Sequence, residues 1–132
     1  MKALASTALT LTLLLAAAPA SAQAVAPAAG RVLVQNKYYP KPGQEAAVLA
    51  TRLEASAVRQ KLGLQTGLVL VRKGEAGGAP YVIWECEYPS IEARRADAAA
   101  AEGTAEFAAV QRKMRGLIDR FERVAWTVRA EP

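Results

Sequence analysis

The sequence has no histidine in 132 residues. That removes the commonest general base, the commonest metal ligand and every histidine-containing triad, and no metal or cofactor is expected. A single cysteine, Cys86, leaves no partner for an internal disulfide. A small domain must then rely on packing or on association with other chains. Aromatic residues make up only 6% of the chain, and Phe121 is the single one among the arginines between 112 and 123, which is no stacking platform for a nucleic acid. Apolar runs long enough to span a bilayer, roughly 20 residues, are also absent. The longest, ALTLTLLLAAA at 8–18, is too short.

That short run has a different meaning. It follows the lone charge of Lys2 and precedes Ala20-Ser21-Ala22, small residues of the kind a signal peptidase reads. Residues 1–22 are therefore expected to be a cleavable signal peptide, giving a periplasmic or secreted protein with no membrane attachment after cleavage. Loss of Lys2 lowers the formal charge from +5 to +4, a mild basicity ordinary for a soluble domain. Residues 23–30 (QAVAPAAG) have no periodic pattern and read as a flexible arm. A single domain follows, over 31–129.

The stretch Pro80–Pro89 (PYVIWECEYP) reads as a strand closed at both ends by proline, which cannot donate to a ladder. Alternation gives it two unlike faces: Val82, Trp84, Cys86 and Tyr88 on one, and Tyr81, Ile83, Glu85 and Glu87 on the other. Before it, 32–39 is a strand stopped by Pro40 and Pro42, and 44–62 is a helix. That helix is expected to bury Ala46, Leu49, Ala50, Leu53 and Ala57, with Val58 and Leu62 extending the stripe and Arg52 and Arg59 on its wet side. Residues 66–73 form another strand, and the glycine-rich 74–79 lacks the lysine–hydroxyl ending of a phosphate loop and reads as a hairpin turn. Ser90 and Thr104 are helix caps on either side of the break at Gly103. The last helical segment, 105–119, is expected to bury Phe107, Val110, Met114, Leu117 and Ile118, and 123–129 is a closing strand.

The order β-α-β-β-α-β predicts an α+β, ferredoxin-like fold: a four-stranded antiparallel sheet with its helices on one face. The uncovered face predicts a homodimer with sheets facing each other, and a ligand cavity between them.

Tyr38-Tyr39-Pro40-Lys41-Pro42-Gly43 leading into a helix, then the Trp- and Glu-bearing strand ending at Pro89-Ser90-Ile91-Glu92-Ala93, then Gly103-Thr104-Ala105-Glu106-Phe107, resemble the dimeric α+β barrel superfamily. Its relatives include the NIPSNAP and antibiotic-biosynthesis monooxygenase families. The likeness spans about 31–129. Haem-degrading members use an Asn, a Trp and a His; Asn36 suits the first, but Glu87 falls at the Trp position and Gln111 near the His, so the resemblance implies no haem degradation. It also implies that Val34, Asn36 and Tyr38 look into the barrel together with Tyr81, Ile83, Glu85 and Glu87.

Two functions follow. The first is an exported, non-catalytic dimer binding a small apolar or aromatic ligand between the sheets, with Asn36, Tyr38, Tyr81 and Ile83 as contacts. The alternative is a cofactor-independent monooxygenase or isomerase in which Glu85 or Glu87 acts as base. A third reading, an anion site over Arg112–Arg123, competes with a plain solvated helix face, and nucleic acid is not an expected partner.

Overall fold

The computed structural model describes residues 30–75 and 77–131; the expected signal peptide, and all of the arm but Gly30, lie outside the described residues. The elements are β1 (Val32–Pro40), α1 (Glu45–Lys61), β2 (Leu68–Val71), β3 (Val82–Tyr88), α2 (Ile91–Glu102), α3 (Ala105–Leu117) and β4 (Ile118–Thr127). The strands form one antiparallel sheet in the order β2-β3-β1-β4, so the ferredoxin-like α+β expectation holds. The helix caps act as the sequence reads. Ser90 Oγ accepts from the Ala93 amide at 3.0 Å, and Thr104 Oγ1 from the Phe107 amide at 3.3 Å, each satisfying one of the orphan donors of a helix start.

The strand expected at 66–73 is the shorter Leu68–Val71, and the largest boundary difference is at the start of β4. The last helix ends at Leu117 and β4 begins at once, with Ile118 already extended. Gly116 and β-branched Ile118 both disfavour another helical turn. Lys41 takes up the freed carbonyls, its amide donating to Leu117 O at 2.9 Å and its ammonium to Gly116 O at 3.0 Å. Ile118 and Phe121 are therefore strand residues, and Phe121 stands opposite Tyr38.

Strand register decides the faces. β1 and β3 pair Val34 with Cys86, Asn36 with Trp84 and Tyr38 with Val82, while β1 and β4 pair Asn36 with Arg123. Directly opposed residues share a face, and this face lies under the helices. The opposite face carries Leu33, Gln35, Ile83, Glu85, Val124 and Trp126, joined by Leu68 and Leu70 of β2. The two tryptophans are thus separated by the sheet: Trp84 is buried and Trp126 is 50% exposed.

Trp84 is fixed by its indole N–H, which donates to Thr66 O at 2.5 Å. The chain passes so closely there that a Cβ on Gly67 would stand 2.4 Å from Glu85 O and 2.9 Å from the indole nitrogen, and Gly67 also has φ +67°. Only glycine fits both conditions.

The interior is in two parts. One cluster (Val34, Tyr38, Val48, Val82, Trp84, Cys86, Tyr88 and Met114) sits on the sheet, and the other (Ala55, Val58, Ala101, Phe107 and Val110) lies among the helices.

Candidate functional site

Between these clusters lies a cavity of about 360 Å³. It is partly open to solvent, with Phe121, Arg115 and Arg123 exposed in its lining, and it reaches down to buried Asn36, Trp84 and Met114. Three alanines, Ala55, Ala98 and Ala101, line its helix side, where larger side chains would fill it. Aromatic walls come from Tyr38, Trp84, Phe107 and Phe121. The Tyr38 and Phe121 rings meet at 5.3 Å between centroids.

The polar lining is dominated by cations. Arg52, Arg59, Arg94, Arg115 and Arg123 line the cavity against only Asp97 and Glu102. Two of these arginines are buried and project from α1 seven residues apart, two turns along one face. Their guanidinium carbons lie 5.1 Å (Arg52) and 5.0 Å (Arg59) from the Trp84 ring centroid, within the range of cation–π attraction. Their other surroundings differ. Arg59 is fully provided for: it donates to Asp97 Oδ2, to Gln65 O at 2.7 Å and to the Tyr88 hydroxyl at 3.4 Å. Arg52, only 3% exposed, is paired with no carboxylate among the described residues. It reaches the Tyr38 hydroxyl at 3.4 Å and Ser56 Oγ at 3.3 Å, both long contacts, and its Nε has no partner. At the strand side, Arg123 Nε donates to Asn36 Oδ1 at 2.8 Å.

Neither arginine was placed here by sequence. The stripe Ala46, Leu49, Ala50, Leu53, Ala57 is more apolar than the one that is buried, Val48, Thr51, Arg52, Ala55, Val58, Arg59. In the structure Leu53 is 51% exposed and the arginines are inside. The signal available was the spacing 48, 52, 55, 59, which is as helical as the competing stripe. Asp97, the partner of Arg59, carries no local signal at all.

No family model matches the chain, and no curated protein matches it. Solved structures do. A NIPSNAP family protein from Agrobacterium tumefaciens superimposes with a TM-score of 0.60 at 19% identity, covering 76% of this chain and 87% of that one. A dimeric protein of unknown function and ferredoxin-like fold from Bacteroides fragilis gives 0.57 at 13% identity, covering 75% and 97%. SnoaB, a cofactor-independent oxygenase from Streptomyces nogalater, gives 0.56 at 15% identity, covering 78% and 97%. The chain has the ferredoxin-like fold of these proteins.

Within the ferredoxin-like fold, the six residues expected to share one pocket divide between the two faces. Asn36 and Tyr38 line the cavity beneath the helices. Ile83, Glu85 and Glu87 point away from it, because the β1–β3 register puts Trp84 and Cys86, not the glutamates, on the face of Asn36. Glu85 accepts from Gln35 Nε2 at 2.7 Å, and Glu87 pairs with Arg31 at 2.6 Å in solvent. Tyr81 precedes β3, its amide donating to Tyr38 O at 3.0 Å, and is not in the lining. Trp84, expected on the side away from Asn36, stands directly across from it. A ligand cavity is expected between two sheets; the pocket described here lies instead within the single chain, on the helix side of the sheet. The basic cluster is dispersed: Lys113 pairs with Glu54, Arg120 with Glu122, and Arg123 with Asn36. Among the described residues no His, Cys, Asp or Glu group is arranged to hold a metal, and no helix is long and apolar enough to cross a membrane.

Beneath the cavity, Cys86 and Tyr88 extend the buried network. Burial pushes the Cys86 thiol above its ordinary 9.0. Burial, followed by the hydrogen bonds with Asp97 and Cys86, pushes the Tyr88 phenol above its ordinary 10.0. Both groups hold protons in the folded state that the unfolded chain releases. Their contribution is therefore complete below about pH 9 and falls as pH rises through 9 and 10. Melting temperatures at pH 7, 9 and 10.5 should decline only over the alkaline interval, and Tyr88→Phe should flatten the decline.

Proposed function

We propose that this is a homodimeric, non-catalytic binding protein that holds one small apolar or aromatic molecule inside each subunit, in the cavity between sheet and helices. The observation that carries this reading is a deep pocket of about 360 Å³, lined by alanines and aromatic rings and running from exposed Phe121 down to buried Trp84. Small-molecule sites are typically concave, mostly apolar and fitted with a few polar groups. The exposed Leu68, Leu70 and Trp126 on the other face of the sheet support pairing of two copies, as does the dimeric state named for the Bacteroides fragilis protein. The run at 8–18 and Ala20-Ser21-Ala22 support export to the periplasm or beyond. The catalytic alternative has less behind it. Glu85 and Glu87 face away from the cavity, and Asp97 inside it is engaged by Arg59 and Tyr88.

Fluorescence titration with the neutral probe N-phenyl-1-naphthylamine tests the reading. Saturable binding of one probe per subunit, with quenching of tryptophan emission and Kd on the order of 10 µM, is expected. Ala98→Phe, which fills the cavity, should weaken binding at least about 30-fold while the sedimentation coefficient stays unchanged. Undiminished binding to that variant would overturn the proposed location.

A further inference from the structure

We infer that the ligand is an aromatic acid whose carboxylate is the missing counter-ion of Arg52. The inference rests on the proposed cavity and adds the chemical class of what enters it. A charged side chain taken out of water is costly unless paired. The protein meets that requirement at Arg59, with Asp97, Tyr88 and a backbone carbonyl, and leaves it unmet one helical face-step away at Arg52. Arg52 is as buried as Arg59, borders the same hollow and approaches the same indole. Among the described residues its hydrogen-bond partners are two hydroxyls at long range.

The remaining charges point the same way. Arg94, Arg115 and Arg123 add positive potential at the lining, and Glu102 is the one carboxylate there not already engaged by Arg59. An anion entering this space gains from every one of these arginines, while a cation is opposed by them. The Trp84 ring supplies the surface for the ligand's apolar body. The carboxylate then completes a charge-assisted pair with a guanidinium inside a site of low dielectric, where such bonds are strong.

Isothermal titration of the full chain with 1-naphthoate and 1-naphthamide separates charge from shape. The two share a ring system and differ in the acidic group. The carboxylate is expected to bind at least about 30-fold more tightly, and Arg52→Met to abolish that preference. Arg52→Lys should recover part of it. Without ligand, Arg52→Met should be as resistant to urea as the parent or more so, since it removes an uncompensated buried charge; a purely structural arginine would give the opposite result. Equal affinity for the two compounds, with N-phenyl-1-naphthylamine still bound, would overturn the inference and leave the cavity reading standing. Failure of all three compounds to bind would overturn both. If Arg52→Met does not fold, the charge preference of the parent and its reduction in Arg52→Lys still decide the matter.

Discussion

Asp97→Ala is expected to lose roughly 3–5 kcal/mol of stability, the usual cost of stripping one partner from a buried ion pair, with a fall in Tm on the order of 15 °C. The side chains of Arg59 and Asp97 are 5% and 12% exposed. Removing the carboxylate leaves the guanidinium buried beside Trp84 and takes the acceptor from the Tyr88 hydroxyl, which donates to it at 2.7 Å. Most of the loss is the cost of the orphaned charge, not the worth of the pair. The double variant Arg59→Met/Asp97→Ala should therefore be markedly more stable than Asp97→Ala alone, a non-additivity that urea unfolding measures. Additive losses would show that the two side chains act independently.

The second large effect concerns the open face of the sheet. Leu70→Glu combined with Trp126→Glu is expected to weaken dimerisation at least about 30-fold, roughly 2 kcal/mol, by placing charge where exposed apolar side chains meet a second copy. Leu68, Leu70 and Trp126 are 61%, 44% and 50% exposed in the single subunit. They share a face with Leu33, Ile83 and Val124. Sedimentation equilibrium at micromolar concentration should give a dimer for the parent and a monomer for the variant. The parent's Tm should rise with protein concentration, as mass action requires, and the variant's should not. A parent that sediments as a monomer with concentration-independent melting would remove the dimer from the proposal and leave the cavity in place.

The fold was legible because its signals are local. Prolines bracket β3, Ser90 and Thr104 cap their helices, and alternation separates Trp84 from Glu85 without reference to the rest of the chain. The site was not legible, because it depends on choices that only long-range packing makes. Register is one: shifting a strand by one residue moves every side chain to the other face, and nothing near Asn36 says that it will oppose Trp84 and not Glu85 or Glu87. The rotation of α1 is the other. Ala46, Ala50, Leu53 and Ala57 of its expected stripe turn outward, Leu49 and Val58 stay against the core, and Arg52 and Arg59 turn in, since Asp97 on α2 and the ring of Trp84 on β3 receive the charges. Pattern reading assigns arginine to water, and here the exceptions are what make the pocket. Asn36 and Tyr38 were found because resemblance pointed to their strand, and they line the cavity for a reason the resemblance did not supply.

The claim that decides the rest is the location of the ligand inside each subunit. Crystals grown with 4-bromo-1-naphthoate measure it directly through the anomalous signal of bromine. The account predicts one bromine per subunit on the helix side of the sheet, the naphthalene against the Trp84 ring and the carboxylate within hydrogen-bonding distance of Arg52. Bromine found between two sheets, against Leu70 and Trp126, or only on the protein surface, would contradict it.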